Sequence, residues 1–452
     1  MNNHKFDGEG HFHQQSFNET LRILNPDNII LQAGYTIEVF LEGLNAPSRL
    51  TFTDNGDILI ALSGYVSREA AILRYSNGQI DTIADGFLPP ITGLTYHEGN
   101  IYVTHANKVT IIYQDGRRQV LIDGLPILGD YWGSNVAFGP DGKMYLGIGS
   151  ATNSGVVGTD NVWIFNYPFF CDQIGHYAIL VGDNFETANV FTITDENAYT
   201  GAFSPFGIPN RPFEIRKGIV KASGSIIKSN ADGSQIEQFA TGFRYPNCLK
   251  FDINGKLYVS QQTCEARGSR PIANAPNDFC LVTAGTWYGW PDYVGNEPVT
   301  LEKYKPEGGK QPEFLLHNHP MVPPRPFVTF PPNSKLSGFA FNYNTQFGPY
   351  GNAYIAEYGA GGFIIPGTAT PFTGDGYRVS EIDMNVGAVR TFAINRSGFP
   401  DSIVREGGFG RPADIAFGPD GAMYVLDIGI SSPTDLSDYY PNTGVIWRIT
   451  RE

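Results

Sequence analysis

The sequence has no apolar run approaching the ~20 residues of a membrane-spanning helix, and no sustained helical period. Those two absences exclude a helical membrane protein and a helix bundle. Basic residues are also scarce, 31 against 45 acidic, for a net charge of −14. A nucleic-acid backbone or an anionic membrane surface rewards clustered Lys and Arg, so neither is expected as a partner. Only four cysteines occur, Cys171, Cys248, Cys264 and Cys280, and none has zinc-ligand spacing. They allow three pairings; Cys264 and Cys280 bracket a polar loop that a bridge would staple, and buried free thiols are the alternative. The N-terminus, MNNHKFDGEGHFHQQ, has neither the basic start nor the apolar core of an export signal. As written, the chain is expected in the cytoplasm. His4, His11 and His13 lie in this polar lead without metal spacing, and the segment is expected to be a mobile tail.

What is present is turn chemistry. There are 53 Gly, 31 Pro and 13% aromatics, which suits a turn-rich β protein. One pattern recurs six times: an aromatic after a small or apolar residue, a short turn containing Gly, then an apolar strand. It reads LTFTDNGDILIAL from Leu50, LTYHEGNIYVTH from Leu94 and VAFGPDGKMYLGIG from Val136. It returns as LKFDINGKLYVSQQ from Leu249, FAFNYNTQFGPYGNAYIAEYG from Phe339 and IAFGPDGAMYVLDIG from Ile415. Asp-Gly and Asn-Gly between apolar runs signal hairpins, because the turn requires positive φ. Phe52, Tyr96 and Phe138 stand 44 and 42 residues apart, the length of a four-stranded propeller blade. The later intervals, to Phe251, Phe341 and Phe417, stretch to 113, 90 and 76 residues, so the later blades carry insertions. The expected fold is all-β, a six-bladed propeller over residues 34–452 after a lead-in at 1–33, with long loop insertions on one face. The final strand, Val445 to Thr450, is placed to share a blade with the N-terminus and close the ring.

The insertions span about 150–226, 265–332 and the Gly-rich stretch after Glu357. Rim loops on a rigid scaffold are where binding and chemistry concentrate, and they leave a loop face open to a protein partner. Six residues beyond each turn glycine stand Leu62, His105, Ile148, Gln261, Glu357 and Asp427. Equivalent strand ends face one end of the channel, so Gln261, Glu357 and Asp427 are channel-mouth candidates for holding a cation, as in a calcium-dependent lactonase-type hydrolase. Ordinary solvated strand ends are the alternative. The stretch Gly242 to Tyr293 combines a repeat hairpin with a polar loop and the aromatic run Trp287-Tyr288-Gly289-Trp290, which is either blade packing or a substrate platform.

With GFRYP, RGSRPIANAPNDF and YGWPDY in hand, the sequence resembles the glucose/sorbosone dehydrogenase family, propellers related to soluble quinoprotein glucose dehydrogenases. The resemblance implies an oxidoreductase moving a hydride from a sugar hydroxyl to pyrroloquinoline quinone (PQQ), with calcium. It implies cofactor contacts at Arg244, Tyr245, Gln262 and Arg411, calcium-binding carbonyls at Thr263 and Cys264, and a structural calcium at Asp278 and the Tyr288 carbonyl. The family usually works outside the cytoplasm. The sequence departs from the family where a His base is expected: Tyr131 stands there, and an ordinary phenol near pKa ~10 is a poor proton acceptor. His105 is a candidate substitute base. Tyr245 replaces an Asn and Ala413 an Arg. A propeller that kept the fold as a binding or structural protein, a pseudoenzyme, is therefore the competing reading.

Overall fold

Each repeated hairpin forms, and four of the six, in blades one, three, four and six, close in the same register. The first-strand aromatic faces the residue opening the second strand in five blades, Phe52 with Ile58, Phe138 with Met144, Phe251 with Leu257, Phe341 with Ala353 and Phe417 with Met423, and the residue after it in the second, Tyr96 with Ile101. At the Asp-Gly and Asn-Gly turns, Gly56, Gly142, Gly255 and Gly421 have φ of 84°, 67°, 74° and 79°. Only glycine enters that region without a Cβ clash, so the turn residue sets the register and the register sets the blade.

The computed structural model describes residues 22–193, 196–360, 375–432 and 438–452. The histidine-bearing tail and most of the Gly-rich third insertion lie outside the described residues. Among the described residues, six sheets of four or five strands form the blades in chain order, 47–84, 91–122, 133–241, 245–330, 336–395 and 412–451, and three two-stranded sheets lie in the insertions. Ile29–Leu31 adds a fifth strand to the fifth blade, and Tyr35–Leu44 pairs antiparallel with Gly444–Arg451 to complete the sixth. The termini thus share a blade, as the ring closure requires. The described part of the lead-in is not separate from the propeller: Arg22 is buried and ion-paired with Asp401 and Asp427.

The packing repeats as the sequence does. Four residues beyond each turn glycine stand Ile60, Val103, Leu146, Val259, Ile355 and Val425, all essentially inaccessible between blades. Burying such a side chain stabilises by about 1.5–3 kcal/mol, and here one position of the repeat contributes six times. On the innermost strands, Arg49 reaches across the channel. Its guanidinium donates to Asn247 O and Oδ1, to Ser337 Oγ and to Ala413 O, which ties the first blade to the fourth, fifth and sixth.

The insertions depart in part from their expected form. The stretch expected as one insertion over 265–332 contains the third strand of its blade, Asn277–Val282, and the short fourth, Val328–Phe330. After Val282 the chain runs along the outer strand of the third blade, with a parallel bridge between Thr241 and Trp287. It then meets the first insertion, where Leu180 bridges Leu316. Trp287 and Trp290 are buried in the cluster that joins the two insertions, with Ile174, Leu180 and Phe203. They pack loops rather than present a platform. All four cysteines are buried and free, so the staple at Cys264 and Cys280 is absent.

Candidate functional site

The residues immediately before the six inner strands are Ala46, Pro90, Trp132, Arg244, Lys335 and Arg411. Fold symmetry carries this position to the same end of the channel in every blade. Three consecutive blades therefore place a cation there, and the other three place none. Arg244 is 1% exposed in its side chain, and Arg411 is fully buried. Lys335 holds its backbone at φ 52°, a left-handed conformation that a side chain bearing Cβ adopts at a cost of about 1 kcal/mol, and such strain gathers at functional sites.

One carboxylate answers this cluster. Glu265 accepts from Arg244 Nη2 at 2.9 Å and from Arg267 Nε at 2.9 Å, and it pairs with Lys335. Burial, then Arg244 and Arg411, push the Lys335 amine well below its usual range, although Glu265 lies against it. Burial, then the Arg267 guanidinium, lowers Arg244 to about 9, still charged at neutral pH. Arg267 ties in the rim: it pairs with Asp130 and Asp160 and donates to the Tyr131 hydroxyl at 2.6 Å. Arg270 of the same loop is structural, bonded to Asp292 and to the carbonyls of Ser154, Pro291 and Glu313.

Aromatic rings flank the cations. The Arg244 guanidinium lies 3.9 Å from the Tyr131 ring centre, and Tyr131 is 5.4 Å from Tyr245, whose hydroxyl burial pushes up to about 12. Arg411 lies over Tyr358 at 4.9 Å and Tyr377 at 5.5 Å, and donates to the Gly359 and Ala360 carbonyls. Cation and ring faces attract electrostatically, more so out of water. The Nε atoms of both Arg244 and Arg411 are buried without a partner among the described residues, an arrangement that costs free energy unless a ligand acceptor fills it.

Of the candidates named from the sequence, Arg244, Tyr131 and Tyr245 meet directly, and Arg411 stands at the equivalent place two blades on. Gln262 lies opposite Tyr245 in the sheet and donates to the Leu336 carbonyl. The Thr263 carbonyl accepts from Arg244 Nη1, and the Cys264 thiol donates to Asn153 O. Asp278 is fully buried, and burial raises its carboxyl to about 8; Gln261 reaches one oxygen at 3.5 Å, and Oδ1 has no partner. Tyr288 packs on Phe243 with its hydroxyl on the Leu281 carbonyl.

The strand-end set does not converge. His105 is satisfied inside its own blade: Nε2 meets Thr110 Oγ1 at 2.8 Å and Nδ1 the Leu88 carbonyl at 3.4 Å. Glu357 bonds Ser380 and Arg378, while Asp427 accepts the amides of Gly410, Arg411 and Gly429 and pairs with Arg22. Gln261 accepts the Arg244 amide. Among the described residues, no three His, Cys, Asp or Glu side chains are grouped to hold a metal. Strand ends of this kind cap their own sheets because buried amides need acceptors.

Sequence reading missed Lys335, Glu265, Arg267 and Tyr358. A comparison of the positions before each inner strand, rather than at each strand end, finds Lys335 at once. Glu265 and Arg267 sit on a loop with no repeat counterpart, so no such signal exists for them.

No family model matches the chain, and no curated protein does. Solved structures do. Over 94% of this chain and 97% of the other, it resembles the holo form of the pyranose dehydrogenase PQQ domain from Coprinopsis cinerea, with 15% identity and a TM-score of 0.58. It resembles a Trichoderma reesei carbohydrate-active enzyme of family AA12 with 15% identity and a TM-score of 0.56, covering 96% and 99%. A putative oxidoreductase (glucose dehydrogenase) from Thermus thermophilus matches with 18% identity and a TM-score of 0.53, covering 92% and 100%. At these identities the likeness is one of fold, and the chain is a six-bladed propeller of the kind seen in glucose dehydrogenases and a PQQ domain.

Proposed function

We propose that the channel mouth binds a planar polycarboxylate of the PQQ type and that the protein is an oxidoreductase acting on sugar hydroxyls. The carrying observation is that Arg244, Lys335 and Arg411 stand before the inner strands of three successive blades, with Glu265 paired to the first two. PQQ is a flat tricarboxylate. Buried cations with unpaired Nε atoms and flanking Tyr131, Tyr245 and Tyr358 rings suit both its charge and its faces. When bound, PQQ would supply the two-electron acceptor for the hydride.

The chain's own part is charge, orientation and proton handling. Arg244 and Arg411 orient the carboxylates. Tyr131 accepts from Arg267, which leaves its O–H to donate to a ligand oxygen rather than to act as a base. Glu265 is the carboxylate among these cations, and proton acceptance from a sugar hydroxyl falls to it once a ligand carboxylate takes over its cations. The calcium expected at Thr263 and Cys264 does not fit the residues present, since Arg244 already occupies the Thr263 carbonyl. A cation fits better at Asp278, where a buried carboxyl oxygen lacks a partner.

A second reading, a binding propeller without chemistry, is favoured by Tyr131 at the base position between two guanidiniums. Calorimetric titration with PQQ, beside a dye-coupled glucose oxidation assay on the same sample, separates the two. Binding with turnover supports the oxidoreductase. Binding without turnover supports the binding propeller, and no binding sinks the oxidoreductase reading and turns attention to a partner at the loop face.

A further inference from the structure

The longest insertion lines a half-open cavity of about 340 Å³ whose walls share no residue with the mouth. Its size is that of a small-ligand pocket. Ile174, Phe203, Pro205 and Ile208 form an apolar side, and Glu214, Arg216 and Lys217 a charged one. The two wall carboxylates are already engaged. Asp172 accepts from the Ala151 and Thr152 amides and the Thr152 hydroxyl, and Glu214 pairs with Arg216 and accepts the Arg211 amide.

The cations are not fully engaged. Arg216 spends Nη1 on Glu214 and Nη2 on Ser204 Oγ and Asn210 Oδ1, but its Nε is buried with no partner. Lys217 is exposed at the rim and has no ion-pair partner among the described residues. Leaving a buried guanidinium N–H unmet costs free energy that an incoming acceptor recovers. One guanidinium edge and one ammonium beside two carboxylates suit a monoanion. A phosphate dianion would meet repulsion from Asp172 and Glu214.

We propose that this cavity binds a small monocarboxylate with an apolar body. Its carboxylate lies on Arg216 Nε and Lys217, and its body on Ile174, Phe203 and Ile208. The site is independent of the mouth and of whether the mouth binds PQQ.

The test is calorimetry on the full chain with three probes: benzoate, its neutral analogue benzamide, and inorganic phosphate. Benzoate is expected to bind at one site, benzamide at least tenfold more weakly and phosphate not at all. Removing Arg216 frees Ser204 and Asn210 and would disturb the loop, so the charge is tested with Lys217→Glu and the cavity with Ile208→Trp. Each is expected to weaken benzoate about tenfold or more. Arg244→Met, which disables the mouth, is expected to leave benzoate binding unchanged. The proposal is overturned if benzoate fails to bind at millimolar concentration, if benzamide matches it, if Lys217→Glu and Ile208→Trp are both without effect, or if Arg244→Met abolishes binding.

Discussion

Blades one and two, at 47–84 and 91–122, pass through four strands with little between them. Blades three and four, at 133–241 and 245–330, are built on the same hairpin in the register of blade one but thread long loops between their strands. The compact pair buries its strand ends in itself. His105 closes on Thr110 and Leu88, and Leu62 packs in the core. In the elaborated pair Ile148 packs in the core and Gln261 accepts the Arg244 amide, while Tyr131 and Arg244, ahead of the inner strands, interlock with Glu265 and Arg267 of a loop. A symmetric ring is thus made chemically one-sided without changing the hairpin. The repeat supplies stability and the position that holds Arg244, Lys335 and Arg411, and the insertion supplies Glu265 and Arg267.

This division can be broken at either end. The largest effect belongs to the frame: Ile60→Ala in blade one is expected to cost about 2–5 kcal/mol in denaturant unfolding, because it opens a cavity between blades. PQQ affinity of the folded fraction is expected not to change. If affinity falls as well, frame and mouth are not separable.

In the mouth, Arg244→Met is expected to weaken PQQ roughly a hundredfold, about 3 kcal/mol, by titration calorimetry. Stability is expected to fall less than for Ile60→Ala, because Arg267 still pairs with Glu265. Unaltered PQQ affinity would remove Arg244 from the site.

The contrast between strand ends is sharpened by pH. Burial lowers the His105 imidazole to about 4, below the ~6.5 of the unfolded chain. Between those values the unfolded state binds a proton that the native state refuses. Stability is therefore lost as pH falls through that window, by roughly 1 kcal/mol per pH unit from this residue. His105→Gln is expected to flatten that fall in urea unfolding series at pH 6.5 and 4.5, with PQQ affinity unchanged. A slope as steep as the parent's would contradict the buried neutral ring.

The smallest effect is at Tyr131. Tyr131→Phe keeps the ring under Arg244 and removes the bond from Arg267, so PQQ affinity is expected to change by about 1 kcal/mol or less. Any turnover present in the parent is expected to persist. Complete loss of turnover at unchanged affinity would make the phenol the proton acceptor and displace Glu265 from that role.

Much of the fold was legible in six short stretches because Asp-Gly and Asn-Gly turns act locally. Positive φ at one residue dictates the hairpin, and the hairpin's period dictates which side chains are buried. Arg244, Tyr131, Tyr245 and Arg411 were named as candidates through the family resemblance carried by the motifs around them. Glu357 and Asp427 misled because a polar residue at a strand end has two uses, capping its own sheet or facing the channel, and sequence spacing is the same for both. The strand Asn277–Val282 was hidden inside a stretch whose Arg, Asn, Gly and Pro content read as loop throughout.

By itself the sequence determined a ring of β-hairpins, their register, their shared core position and the absence of any long apolar helix. Tertiary structure alone decided that Lys335 stands in line with Arg244 and Arg411, that Glu265 pairs with Arg244, Lys335 and Arg267, and that His105 turns away. The physical reason is range. Turn and strand preferences act over a few residues, whereas the charge balance of the mouth is struck between side chains far apart in the chain that only ring closure brings together.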